Sequence, residues 1–187
     1  FRWGDTVELV LLDCRYELVD EPELLLVGEA QMAWLLERLR TSPCRFVCVC
    51  TDKPFADVRM ADGDPYPSAG ERWAGRPASR DRVTQLLDDE GLTHVLFVTG
   101  DIHMNYVGRV SEAGDRTSDR AWEICCTSGN VNPLVRDLSL TQFDWTGMPP
   151  HVPRLTFDPD AGTVTVAFHA ADGTVSHEQV LTLPARG

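Results

Sequence analysis

The chain has 187 residues and a mass of 20.8 kDa, which corresponds to one domain or to part of a larger one. Its residues are 43% hydrophobic and 25% charged, values that exclude a disordered or fibrous protein. The 17 basic and 29 acidic residues give a formal net charge of -12. This charge argues against a nucleic-acid-binding surface and against docking on anionic lipid. No apolar run approaches the ~20 residues needed to span a bilayer.

The cysteines are placed in a way that favours free thiols over disulfides. Cys48 and Cys50 share one face of an apolar segment, and Cys125 and Cys126 are adjacent in another. No pair has the C-x-x-C spacing of a structural zinc site or a redox pair. Buried free thiols slightly favour a reducing compartment such as the cytoplasm.

Hydrophobic patterning predicts alternating strands and helices in the first half of the chain. The predicted strands are 7–14, 45–51 and 93–100, and the predicted amphipathic helices are 28–40 and 79–91. Ser79 is the candidate N-cap of the second helix, and Gly91 is its candidate C-terminal stop. A long irregular segment rich in Gly, Pro and Asp precedes this helix, and we expect it to form a partly ordered flap.

The second half of the chain is predicted to be mainly β. Short strands are expected at 105–110 and 121–128, and three more between residues 154 and 183, joined by DPDAG and ADG turns. Alternation of apolar and polar residues in the last three strands predicts an antiparallel sheet with one buried face. The whole chain therefore reads as a mixed α/β sandwich.

Two ligand-type side chains follow the most apolar predicted strand. Asp101 and His103 lie two apart in VTGDIH (98–103), after Gly100, which we expect to let the backbone turn sharply. Ligands in open α/β folds gather at the carboxyl ends of strands. A carboxylate with an imidazole suits Zn, Mn or Fe better than an all-oxygen Ca or Mg site. The alternative is a solvated turn with a capping aspartate and an incidental histidine.

Carboxylates also end the two preceding strands. Asp52 follows the strand in CVCTDKPF (48–55), and Asp13 ends the first strand, two residues before Arg15. A cleft lined by these side chains would repel a phosphate ester unless divalent cations were bound. The alternative for Asp13 and Arg15 is a structural ion pair, which we prefer for Asp13.

Four segments occur in the order and spacing of a known family. They are FRWGDTVELVLLDCR (1–15), GEAQMAWLLERL (28–39), ERWAGRPASRDRVTQLL (71–87) and VTGDIH (98–103). Over residues 1–128 the chain resembles the PhoD-like alkaline phosphatases of the calcineurin-like metallophosphoesterase superfamily. The family's R-x-G-D…LLD-x-R, G-x-x-Q-x-x-W-L, W-x-G-Y-P-x-x-R and G-D-x-H motifs are matched, with Arg76 where tyrosine is usual and Cys14 where threonine is common.

The resemblance implies an αββα sandwich, of which this chain would be the C-terminal half with a terminal antiparallel meander. It also implies two metal ions (Ca, Fe, Mn or Zn), which activate a water for attack on a phosphate ester. Asp101 and His103 correspond to the family's last metal motif. Asp52 stands at the position of an earlier strand-end histidine. We therefore predict a metal-dependent phosphoric ester hydrolase with these three residues as metal ligands.

Further residues are assigned to catalysis and to substrate binding. His103 is also assigned to catalysis, and Arg15 and Lys53 are expected to neutralise phosphoryl charge. Arg15 is expected to bind the substrate as well, together with Asn130 and Trp73. The alternative for Asn130 is turn formation. The alternative for Trp73 is that it pins the long flap to the body of the protein.

The family's first three metal motifs should precede the four matched segments, and this chain contains no counterpart of them. We therefore expect residues 1–187 to be the C-terminal part of one metallophosphoesterase domain, completed by an N-terminal portion or by a second chain. Two alternatives stay open. The chain could be a half-domain that binds a partner through an exposed sheet edge. It could also be an enzyme of the same fold that acts on a phosphorylated metabolite in a biosynthetic pathway.

Overall fold

The computed structural model describes residues 1–19, 25–60, 62–66, 69–110, 121–127, 140–148 and 150–185. Its strands are β1 (Arg2–Trp3), β2 (Val7–Leu11), β3 (Phe46–Cys50), β4 (Val95–Thr99), β5 (Asn105–Arg109), β6 (Trp122–Cys125), β7 (Trp145–Gly147), β8 (His151–Asp158), β9 (Thr163–Ala170) and β10 (Val175–Thr182). Its α-helices are α1 (Glu29–Thr41) and α2 (Pro77–Asp89), and two 3-10 turns span Ala69–Glu71 and Trp73–Gly75.

Seven strands form one mixed sheet in the order β1-β2-β3-β4-β6-β5-β7. The central strands β2, β3, β4 and β6 are parallel to one another, and β1, β5 and β7 pair antiparallel with their neighbours. The three predicted early strands are therefore confirmed as neighbours in one parallel set. Their carboxyl ends lie at the same edge of the sheet, which is the edge that carries the predicted site.

The two faces of this sheet pack against different layers. On β3, Val47 and Val49 face the helices, whereas Phe46 and Cys48 face a second sheet. This alternation follows from the two-residue repeat of a strand. Because both faces are covered, the central strands consist of continuous apolar runs rather than alternating ones, as is typical of buried parallel sheets.

The second sheet is an antiparallel meander in the order β10-β9-β8. Its central strand turns Val164, Val166 and Phe168 inward, and all three are fully buried against the larger sheet. The predicted three-stranded meander with one buried face is therefore confirmed. The structure extends β8 back to His151, three residues before the predicted start.

Both α-helices pack their apolar faces on the larger sheet. In α1 the residues Met32, Leu35 and Leu39 are fully buried at helical spacing, which confirms the predicted amphipathic helix. The predicted N-cap of α2 is wrong. This helix begins at Pro77, whose fixed φ suits the first helical position, and the hydroxyl of Ser79 instead accepts a hydrogen bond from the backbone N–H of Leu26 at 3.0 Å.

All six cysteines are free thiols, which confirms the prediction from their spacing. Cys14, Cys44, Cys48 and Cys125 are buried, and the other two are half-buried. Neither α-helix, at 13 residues each, has the length or the apolar character that a bilayer crossing requires, in the part of the chain that the structure describes.

The packing of α1 predicts a large loss of stability when one residue is truncated and a small loss when its neighbour is. Leu35→Ala should lower the free energy of unfolding by about 2–5 kcal/mol, because it leaves a cavity in the core. Trp34→Ala should cost less than about 1 kcal/mol, because the Trp34 side chain lies at the surface. Urea denaturation of both variants measures the difference. Equal losses would mean that the helix turns a different face to the sheet.

Candidate active site

The predicted strand-end residues come together at the carboxyl edge of the larger sheet. Asp52 follows β3 and Asp101 follows β4, and Arg15 from the segment after β2 lies between them. The Arg15 Nε donates to Asp52 Oδ2 at 2.7 Å, and its Nη2 donates to Asp101 Oδ1 at 2.9 Å. Lys53 Nζ donates to Asp101 Oδ2 at 2.7 Å. Two carboxylates and two cations thus form one charge cluster.

The two cations of this cluster differ in exposure. The side chain of Arg15 is 67% exposed, whereas that of Lys53 is only 5% exposed. The carboxylates of Asp101 and Asp52 raise the pKa of Arg15 above its ordinary value. Lys53 is therefore the buried cation of the cluster, and Arg15 is its solvent-exposed cation.

The turn that carries Arg15 is shaped by Asp13. The Asp13 Oδ1 accepts hydrogen bonds from the backbone N–H groups of Arg15 and Tyr16, both at 2.9 Å. These bonds lower the pKa of Asp13. The predicted ion pair between Asp13 and Arg15 is therefore wrong, because the guanidinium pairs across the strands with Asp52 and Asp101 instead.

The loop after β4 holds two residues in the left-handed region of backbone space. Asp101 has a φ of 70° and His103 a φ of 57°. Such a conformation is strained for residues that carry a Cβ, and strain of this kind is concentrated at functional sites. The turn expected at Gly100 is therefore made by its neighbours. Gly100 is needed for close packing, because a Cβ there would lie 3.1 Å from the carbonyl oxygen of Cys126.

Two aromatic residues of the long irregular segment support this edge from inside the protein. The Tyr66 hydroxyl donates to the carbonyl oxygen of Ile102, between Asp101 and His103, at 2.8 Å. Burial raises the pKa of Tyr66 to about 12, so the hydroxyl keeps its proton. The segment is thus fastened to the loop that carries both candidate ligands.

The second aromatic residue, Trp73, was predicted to contact the substrate. Its side chain is 0% exposed and packs in the core against Phe55 with the rings tilted, so it has no surface to offer a bound molecule. Its indole N–H donates to the Thr51 hydroxyl at 3.3 Å, one residue before Asp52. Trp73 therefore pins the segment to the body of the protein, which is the alternative considered for it.

A cation would find part of a ligand set at this edge. Asp52 Oδ1 is buried and has no hydrogen-bond partner among the described residues. The carboxylates of Asp52 and Asp101 and the imidazole of His103 are suitable donors for Zn, Mn or Fe. However, no group of three His, Cys, Asp or Glu side chains in the described ranges is arranged to hold a metal ion. The donor chemistry fits, but the set is partial.

A shallow groove of about 440 Å³ opens beside the charge cluster. Its volume lies in the range of small-molecule sites, and most of its lining is apolar. The lining residues are Leu11, Leu12, Cys50, Thr51, Asp52, Val98, Thr99, Gly100, Cys126 and Pro153. The groove offers space for the organic part of a ligand whose charged part meets the cluster.

Sequence reasoning missed two residues that organise the site. The Thr51 hydroxyl is contacted by Trp73, by the Cys14 thiol at 3.1 Å and by the backbone N–H of Lys53 at 3.3 Å. Glu123 is a fully buried carboxylate in β6. A charged residue inside the apolar run AWEICC was the available signal for Glu123. Asn130, the remaining predicted substrate contact, lies outside the described residues.

Solved structures of similar fold define the class of protein. The structure of PhoD superposes on 97% of this chain with a TM-score of 0.72 and 18% identity. Purple acid phosphatase PPD1 from yellow lupin (Lupinus luteus) seeds covers 94% of the chain with a TM-score of 0.56 and 10% identity. The fold is thus of the metallophosphoesterase type, as the sequence resemblance implied.

The sequence identifies the family within that class. The chain belongs to the PhoD-like phosphatase family, whose sequence model matches residues 1–176. Alkaline phosphatase D of Bacillus subtilis (strain 168) is 25% identical over 64% of this chain. The chain spans 23% of the length of that relative and 40% of the PhoD structure.

The backbone strain at His103 predicts an unusual order of stability. His103→Gly should be more stable than His103→Ala by about 1 kcal/mol, because only glycine adopts a positive φ without steric cost. Both variants lose the imidazole, so the difference between their free energies of unfolding reports the backbone strain at this position. Urea denaturation measures it, and a more stable alanine variant would contradict the left-handed conformation.

Proposed function

We propose that this chain carries one side of the catalytic site of a metal-dependent phosphoric ester hydrolase. The observation that carries the proposal is the convergence of Asp52 and Asp101, with Arg15 and Lys53, at the carboxyl edge of the larger sheet. Membership of the PhoD-like phosphatase family supports it. The substrates are phosphomonoesters or phosphodiesters, and two cations are part of the proposal.

The proposed metal ligands of this chain are Asp52, Asp101 and His103. When bound, the cations would polarise the phosphoryl group and lower the pKa of a water. The unpartnered Oδ1 of Asp52 would face one cation, and the strained loop after β4 would present Asp101 and His103. Lys53 would hold Asp101 in place through its hydrogen bond to Oδ2.

Arg15 is the residue that we expect to bind the phosphoryl oxygens. Its guanidinium is exposed and stays protonated, and guanidinium groups form paired hydrogen bonds to phosphate oxygens. To reach the substrate it has to leave Asp52 or Asp101. Cation binding to these carboxylates would favour that movement, because it competes with the guanidinium for the same oxygens.

Two carboxylates and one imidazole fill only part of the coordination shells of two cations. We therefore propose that further ligands come from outside the described residues: from another part of this chain, from polypeptide covalently upstream or from a second chain. The apolar lining of the groove beside Asp52 would accept the organic part of the ester.

Turnover of p-nitrophenyl phosphate in the presence of Mn²⁺ tests the hydrolase proposal. Asp101→Asn should lower kcat by roughly 100-fold or more, because it removes a carboxylate ligand of the cations that would balance the phosphoryl charge. Asp89→Asn, the same change at the exposed end of α2, is the matched control and should keep full activity. If the protein binds the portion that completes its domain but never hydrolyses the ester, the result would instead support a non-catalytic half-domain.

Cation affinity separates the roles of Asp52 and Arg15. Asp52→Asn should weaken Mn²⁺ binding by roughly 10-fold or more, because a carboxylate ligand is lost. Arg15→Gln should strengthen it, because the competing guanidinium is gone, even though turnover falls. Calorimetric titration with Mn²⁺ measures both, and two changes in the same direction would refute the assigned roles.

A further inference from the structure

Glu123 is an isolated carboxylate in the interior of the protein. It lies in the middle of β6, between Trp122 and Ile124, and its side chain is fully buried. Burying a carboxylate costs free energy unless hydrogen bonds compensate for the lost water. Burial accordingly raises the pKa of Glu123. An apolar residue would satisfy packing at this position without that cost, so the carboxylate needs a separate explanation.

Four donors surround the Glu123 carboxylate. Oε1 accepts from the backbone N–H of Phe55 at 3.0 Å, from the Thr99 hydroxyl at 2.7 Å and from the Tyr106 hydroxyl at 2.6 Å. Oε2 accepts from the backbone N–H of Ala56 at 2.6 Å. Because all four partners donate, the ionised carboxylate satisfies every one of them.

These donors belong to the segments that carry the candidate ligands. Phe55 and Ala56 follow Asp52 and Lys53 in the loop after β3. Backbone N–H groups in such a loop have no strand partner, so Glu123 is the acceptor that fixes their position.

The hydroxyl donors bind the other side of the site. Thr99 is the last residue of β4 and stands two residues before Asp101. Tyr106 lies in β5, just after the strained loop, and its ring stacks on Phe143 at 3.8 Å between centroids. One side chain therefore connects the two loops that present Asp52 and Asp101.

We propose that Glu123 is a positioning residue that sets the separation of Asp52 and Asp101 by holding both of their loops. This inference rests on the proposed hydrolase function. The residue does not reach the cleft, so it acts only through the loops. Residues that orient metal ligands in this way typically change affinity or activity by about 10–100-fold when they are mutated.

The test compares Glu123→Gln with a matched variant, Glu8→Gln. Glu8 is also buried and ion-paired, with Arg38 Nε at 2.9 Å, but it lies near the start of β2, at the opposite end of the sheet. Glutamine keeps the volume of glutamate and replaces one acceptor with an NH₂ group. In Glu123→Gln that group opposes one of the four donors, so at least one loop contact is lost.

The first readout is amide hydrogen exchange of Phe55 and Ala56 in the folded protein. Glu123→Gln should raise the exchange of at least one of these two amides tenfold beyond any global change, and Glu8→Gln should raise neither. The second readout is Mn²⁺ affinity with kcat and KM for p-nitrophenyl phosphate. Glu123→Gln should lower kcat and Mn²⁺ affinity by about 10-fold or more with little change in KM. Denaturant is added to Glu8→Gln until its free energy of unfolding equals that of Glu123→Gln, so that the two variants are compared at equal stability.

Each outcome decides the proposal. If Glu123→Gln matches Glu8→Gln in kcat and Mn²⁺ affinity at equal stability, Glu123 is only structural and the proposal is overturned. If the unmodified protein, completed by the portion that supplies the further ligands, does not hydrolyse the ester, the hydrolase proposal fails. The amide exchange of Phe55 and Ala56 then still decides whether Glu123 holds its loops. If Glu123→Gln does not fold, Tyr106→Phe and Thr99→Val decide, since each removes one donor and should lower kcat about fivefold.

Discussion

Opposite charges held at the carboxyl ends of neighbouring parallel strands are the constraint on which the candidate site depends. The parallel pairing of β2, β3 and β4 places Asp52 and Asp101 at adjacent strand ends, where two carboxylates would repel each other. Arg15 and Lys53 balance that repulsion, one from the surface and one from the interior.

Behind this edge the protein supports the site with buried hydrogen bonds. Tyr66 holds the strained loop through Ile102, Trp73 holds Thr51, and Glu123 holds the loop that follows Lys53. A left-handed conformation at two non-glycine residues persists only where the surroundings enforce it. Rigid support and local strain therefore belong together, and both are typical of sites that must present ligands at fixed positions.

Local patterns in the sequence were sufficient for most of the architecture. Apart from the short strands β1 and β7, which were not predicted, the strands, the two helices and the antiparallel meander follow from periodicity, because burial of apolar faces is set by the repeat of each element. Boundaries and special positions were less predictable. Ser79 resembles an N-cap but lies inside α2, since Pro77 can open the helix earlier, and Gly100 is needed for close packing rather than for the turn. The position of Gly100 is decided by Cys126, which is distant in sequence.

The sequence by itself determined the order of elements, the family motifs and the carboxylates at strand ends, because these are properties of short segments. Only the tertiary structure decided which groups meet. Arg15 pairs with Asp52 and Asp101 rather than with nearby Asp13, and Trp73 faces the core rather than the groove. Strand register and the packing of the long segment fix those contacts, and neither is encoded in the spacing of residues along the chain.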